Sequence, residues 1–363
     1  MKVNIKSLHF FPLSILVLVA SIIYFSYTEG LIQNGIGYEE LNYIINVHDH
    51  NIYLKKMDGF IHGEADSYEM NNDLGIAIIY YFFYYKTGVD SLLDLRVFSF
   101  IFNATFYFLY VFVFFSICSK YRVSDYARLS VFLNLNLIYF MQLVNKDMLT
   151  IFALIYYLHL VINKSFILMA VVAFLSFFIR QQLGLCLLTF TFLYYSYNTK
   201  FWMFFVYVVS SLAAGYFNAN FSIISAESLG TGLAAYISYF NQSFFVGYLI
   251  FNPVRFLQYI YALPESALVF INSPYFDYAA LFRMLAMFYF FALIIFFIRS
   301  VRNFSWLMSS NVKPFILMVY SFFICWLINP TINARYLMLI FPIIILGYFI
   351  QKSALSTNNS EVA

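Results

Sequence analysis

Apolar residues arrive in long unbroken runs, and polar residues are confined to the stretches between them. The runs fall near 9–27, 74–85, 97–118, 127–143, 148–162, 166–179, 183–198, 201–217, 279–298, 314–328 and 337–350. Segments that are apolar on every face predict buried or lipid-facing helices, and most of these approach the length that crosses about 30 Å of hydrocarbon. The run at 74–85, LGIAIIYYFFYY, is too short for that and reads as a helix lying along the membrane surface.

The distribution of basic residues argues for the same reading. With the N-terminus inside and 74–85 outside, the inner connections hold Lys2 and Lys6, then Lys120, Arg122 and Arg128, then Lys164, Lys200, Arg299, Arg302, Lys313 and Lys352. Every cytoplasmic loop is then positive, as membrane topology favours. If 74–85 crossed, the groups around Lys120, Arg299 and Lys352 would move outside. The pattern therefore predicts an all-α, polytopic bundle of about ten spans, a single membrane-embedded domain over 1–363 with both termini cytoplasmic. The outer loop 28–95 would carry juxtamembrane helices, and 218–278 would form a second outer region. Turn signals at Gly230, Gly232, Asn252-Pro253, Leu263-Pro264 and Ser273-Pro274 leave room for a further pair of spans there.

Composition agrees. Of 363 residues, 63% are hydrophobic and 10% charged, where a soluble domain carries about a quarter. The basic residues are scattered, with no patch for nucleic acid. Cys118, Cys186 and Cys325 all lie in apolar runs and read as small core residues. The first run has the charge and apolar core of a signal peptide but ends in SIIYFSYTEG, with aromatics where a small-residue cleavage site belongs, and reads as a retained anchor.

Chemistry has few places to sit. Eleven of the seventeen acids and three of the five histidines lie between Glu29 and Asp94. Within this loop, Glu39-Glu40 followed by Tyr43 puts a carboxylate pair beside the membrane, suited to accepting a proton from a hydroxyl; the plain alternative is a solvated acidic helix. His48-Asp49-His50, with Asp58, His62, Glu64 and Asp66, offers ligand-type residues for a divalent cation, and His48 and His50 would share a face in an extended segment. No established metal spacing is present. Neither a phosphate-binding loop nor a dinucleotide fingerprint occurs. On the outer side, Arg96, Lys146, Arg180 and Arg335 sit where apolar runs begin or end. Charges there either snorkel to the headgroups or line a wet cavity, where they would suit a phosphate.

These motifs, in this order and on one side, resemble the GT-C superfamily of membrane glycosyltransferases. Glu39-Glu40-x-x-Tyr43 occupies the place of that superfamily's first-loop acidic pair, with Glu where many members have Asp. The 74–85 run followed by Lys86-Thr87-Gly88 and Leu95-Arg96 is similar to its juxtamembrane stretch, although Asn72-Asp73-Leu74 departs from the His-Pro-Pro branch. Asn145-Lys146-Asp147-Met148-Leu149, then Arg180-Gln181, look like the lysine-acid turn and following arginine of EpsG-like and Wzy-like polysaccharide polymerases. Arg335-Tyr336 with Pro342 looks like the entry to a late span. The likeness covers about 1–200 and 329–350.

The resemblance implies sugar transfer from a polyprenyl-(pyro)phosphate-linked donor to a sugar acceptor at the outer face of a bacterial-type cytoplasmic membrane, as in O-antigen, capsule or exopolysaccharide polymerisation. Glu40 or Glu39 would be the acceptor-activating base, and Lys146, Arg180, Arg335 and Arg96 would hold the donor phosphates. Tyr43, Asp147, Gln181 and Tyr336 would support them, and a divalent cation would draw on Glu40 and Asp147. The partners that follow are the lipid-linked donor and acceptor, the bilayer, and other membrane proteins of polysaccharide assembly. The competing expectation is a flippase or other transporter for a lipid-linked glycan.

Overall fold

The computed structural model describes residues 11–69, 72–221, 233–246, 249–250, 255–326, 328 and 334–361. Gly230, Gly232 and Asn252-Pro253 lie outside them, as do residues 329–333. Among the described residues every regular element is helical.

Helix α1 (Phe11–Gln33) leads into the loop helices α2 (Tyr38–Ile44), α3 (Val47–His62) and α4 (Leu74–Tyr81). Next come α5 (Leu95–Lys120), two short pieces α6 (Asp125–Ser130) and α7 (Leu137–Phe140), and α8 (Asp147–Ile162), α9 (Phe166–Ile179), α10 (Gln181–Tyr195) and α11 (Thr199–Phe221). The rest is α12 (Leu233–Phe244), α13 (Gln258–Asn272), α14 (Tyr278–Arg302), α15 (Phe304–Ser309), α16 (Lys313–Trp326) and α17 (Ala334–Glu361). Five helices, α1, α5, α11, α14 and α17, are long and apolar enough to cross a membrane, and α8, α9 and α16 are shorter apolar helices. The last helix is the central one: 72% of its apolar window is buried, against 17% for α1 and for α11.

Contacts at the helix termini sort the bundle into two ends. At one end, the start of α5 meets the end of α1 through Arg96 and Glu29, and the starts of α8 and α17 meet the α9–α10 turn. At the other, Lys120 at the end of α5 donates to Ile162 O and Asn163 Oδ1 at the end of α8. Lys313 at the start of α16 likewise reaches Tyr194 O at the end of α10, and Gln351 of α17 donates to Ser300 of α14.

The apolar run at 127–143 departs from expectation. It forms no continuous helix, passing through α6, a 3-10 turn at Val131–Leu133 and the single turn of α7. Polar residues interrupt the run, and two of them bind backbone carbonyls: Asn134 donates to Met338 O of the last helix and Gln142 bonds within the segment. Gln142 Nε2 donates to Ile138 O, and Asn103 of α5 donates to the carbonyls of Met141 and Leu143.

The 74–85 run folds as α4 and a π turn at Phe82–Lys86, short of a membrane span as its length predicts. It is nonetheless embedded in protein, with Ile76, Ala77 and Tyr80 fully buried. Gly75 permits this. A β-carbon there would sit 1.4 Å from the carbonyl oxygen of Phe178, so only glycine lets α4 close on the end of α9.

Candidate functional site

The docking of α4 brings the residues before it to the α9–α10 turn. That turn is one residue long. Arg180 has extended backbone (φ −164°, ψ 122°), ends α9 and starts α10, and turns its side chain inward, where it is 3% exposed. The backbone N–H of Gln181 donates to Asn72 Oδ1 at 3.2 Å, and Lys146 Nζ lies 2.8 Å from Asp73 Oδ1.

Asp147 is the hub. It opens α8, where the helix N-terminus favours a carboxylate, and it is completely buried. Its backbone N–H is held by Asn145 Oδ1 at 2.7 Å. One carboxylate oxygen takes Arg180 at 3.0 Å and the other faces Arg335 Nε at 3.1 Å. Arg335 also donates from Nη2 to Asp49 Oδ2 at 2.7 Å. Helices α3, α8 and α17 and the α9–α10 turn are therefore joined in one ion network, with Lys146–Asp73 beside it.

The network is balanced, Asp49, Asp73 and Asp147 against Lys146, Arg180 and Arg335. Aromatic faces back each cation: Phe140 lies 4.9 Å from the Arg335 guanidinium, Trp326 5.9 Å from Arg180, and Tyr53 5.6 Å from the Lys146 ammonium. Such faces offset part of the cost of taking cations out of water. Exposure separates the acids. The Asp49 and Asp73 side chains are 24% and 27% exposed, whereas that of Asp147 is 0%. Two acids sit at the rim, in partial contact with solvent; the third is sealed inside.

Asp49 and Lys146 feel their surroundings in opposite senses, the first held in its charged form and the second pushed towards its neutral form. Burial alone would raise the Asp49 carboxyl, but Arg335 and the Asn46 amide outweigh it and hold the group well below the usual carboxylate range. Burial, reinforced by Arg180, depresses the Lys146 ammonium against the opposing pull of Asp73. Next to Asp49, His50 is pushed down to about 4 by burial and by Arg96.

Of the residues expected from sequence, Lys146, Asp147, Arg180 and Arg335 come together. Gln181 joins through its backbone, and Tyr336 places its ring 6.3 Å from that of Trp326. Arg96 lies apart, joined to Glu29 and Thr28 with its guanidinium over Phe25, and ties α1 to α5. Glu39, Glu40 and Tyr43 are exposed on α2, and among the described residues neither glutamate forms an ion pair. Glu40 Oε2 accepts the Gly37 N–H at 3.2 Å, capping its own helix.

A dication on Glu40 and Asp147 does not fit this arrangement. Both Asp147 oxygens face arginines, and no group of three His, Cys, Asp or Glu residues poised for a metal occurs among the described residues. The segment holding His48 and His50 is the helix α3, not an extended strand, so they stand about 200° apart around its axis and do not share a face.

Sequence reasoning missed Asp73 and assigned Asp49 to a metal-type cluster. The signal was there: three cations drawn to one buried place require three carboxylates to accompany them. No family model matches the chain, and no curated protein or solved structure matches it. What fold and site define together is a class, an all-helical protein with helices fit to cross a membrane and a buried ion network at one end of the bundle.

Proposed function

We propose that the chain transfers a glycosyl group from a polyprenyl-(pyro)phosphate-linked saccharide to a sugar acceptor at the outer face of a bacterial-type cytoplasmic membrane, as a polysaccharide polymerase does. The observation that supports this reading is the convergence of Lys146, Arg180 and Arg335 with two partly exposed rim carboxylates. Three cations at the edge of a bundle fit a lipid phosphate, and guanidinium forks suit its oxygens.

In this reading the arriving phosphates displace Asp49 and Asp73 from Arg335 and Lys146, while Asp147 keeps both arginines aimed. The cations then stabilise charge on the departing phosphate. The base comes from the first loop. Glu40 or Glu39 stands nearest the acceptor's approach from water. Asp49 is the better-placed alternative, because release from Arg335 would restore its basicity as the donor binds. Sidedness follows from the other end of the bundle, where Lys120, Arg122, Lys164, Arg299, Arg302 and Lys313 gather; this end is read as cytoplasmic, with about ten traverses and both termini there.

A second reading, a flippase for a lipid-linked glycan, draws on the interrupted crossing at 125–146, because broken helices are frequent in transporters. Purified protein in proteoliposomes with a lipid-linked oligosaccharide separates the two. The expected result is product elongation that falls at least tenfold in Asp49→Asn or in Glu39→Gln/Glu40→Gln. Donor translocation without elongation would instead establish the carrier.

A further inference from the structure

The interrupted crossing has a second peculiarity, outside the ion network. Asn136 is fully buried, and neither its amide nitrogen nor its amide oxygen has a protein partner. The hydroxyls of Tyr107 and Tyr110, 1% and 0% exposed, are also without partners. These groups belong to one patch. The Tyr289 hydroxyl donates to Asn134 Oδ1 at 3.2 Å and meets the Asn136 backbone, and the Tyr110 phenol lies within electrostatic reach of those of Tyr107 and Tyr289. Asn134 closes the far wall by donating to Met338 O of α17.

The patch is central. Tyr107 and Tyr110 lie about 18 and 22 Å along α5, a helix of about 39 Å, and Tyr289 lies about 17 Å along α14. A buried polar atom left unsatisfied is costly, and four in one patch would take up a large share of an ordinary fold's stability. Water does not reach this depth from the bilayer, so whatever satisfies these atoms is bound.

We propose that the break at 134–136 is an internal binding site for ordered water, held by Asn136, Tyr107 and Tyr110. The chemistry of the lining selects the guest. Asn136 offers a donor and an acceptor side by side, and each phenol can act as either, which matches water. A divalent cation would need carboxylates, and the patch has none. An alkali ion would satisfy the oxygens but face the Asn136 N–H groups. Asn136 immediately precedes α7, whose Phe140 ring backs Arg335, so the bound water would sit at the start of an element that shapes one wall of the ion network.

Pulsed hydroxyl-radical footprinting of the full chain in nanodiscs tests this directly, because radicals formed from bound water mark the side chains beside it. Tyr107 and Tyr110 are expected to be oxidised several-fold faster than Tyr157, which is equally buried but paired with Thr191. Equal, low rates at all three overturn the proposal. Asn136→Leu is expected to lower Tm and abolish the extra labelling; a higher Tm would mean a dry site and overturn it as well. If Asn136→Leu does not fold, Tyr110→Phe serves, with reduced labelling of Tyr107 expected and unchanged labelling counting against water. A Tm that rises with sodium over choline in the wild type, and not in the variant, would assign an alkali ion and displace water from the site.

Discussion

Arg335 reaches Asp49 across 286 positions of sequence, Nη2 to Oδ2 at 2.7 Å, and so ties the first loop to the last helix. The same guanidinium faces Asp147 from Nε. A lysine could hold one of these carboxylates but has no planar fork with which to hold both. Arg335→Lys is therefore expected to keep the fold while loosening α3, seen as faster proteolysis or hydrogen exchange over Val47–His62 with little change in α8. Equal loosening of both helices would refute the division of roles.

The buried and rim acids should differ in stability cost. Asp147→Asn takes the carboxylate partner from Arg180 and leaves Arg335 with Asp49 alone, and breaking such a buried pair costs about 3–5 kcal/mol. Asp73→Asn leaves Lys146 near the rim, still in contact with the Asn72 carbonyl at 3.4 Å, and should cost about 1 kcal/mol. Reversible denaturation in mild detergent gives both values. A reversed order would mean that Asp147 is not the hub.

His50 gives the chain a pH dependence of predictable sign. Its imidazole falls from an ordinary value of 6.5 to about 4 on folding, so the folded state favours the neutral ring. Stability from this group is complete above about 6.5 and is lost as pH falls towards 4, where the unfolded chain binds the extra proton. Tm should drop over that window, and His50→Gln should flatten the drop. A Tm that climbs on acidification would show that the ring is charged in the fold.

Gly75 is the most sensitive position outside the ion network. Alanine there would collide with the Phe178 carbonyl and push α4 off the end of α9, carrying Asn72 and Asp73 with it. Gly75→Ala should lose nearly all of the proposed transfer activity, while the α8 and α17 contacts persist by cysteine cross-linking. Retained activity would separate α4 from the site.

Much of this arrangement was legible in the chain. Long apolar runs gave the helices, and Lys146, Asp147, Arg180 and Arg335 stood out because charges at the ends of such runs need a reason. Asp49 hid among histidines that suggested a metal, since nothing local tells a rim carboxylate from a ligand. Asp73 drew notice only within Asn72-Asp73-Leu74, because its partner Lys146 comes 73 positions later. The run at 127–143 read as a span because hydropathy averages over Asn134 and Gln142, whose amides bind backbone carbonyls while barely lowering mean apolarity.

A hairpin turned on the single residue Arg180 has no slack in length. One residue added beside it would rotate α10 by about 100°, taking Leu183, Cys186, Leu187 and Phe190 away from the core they fill. Most loops absorb insertions, but this one fixes helical phase and charge placement with the same residue. Natural variation in length should therefore collect in the first loop and at the opposite end of the bundle, leaving this corner at constant spacing.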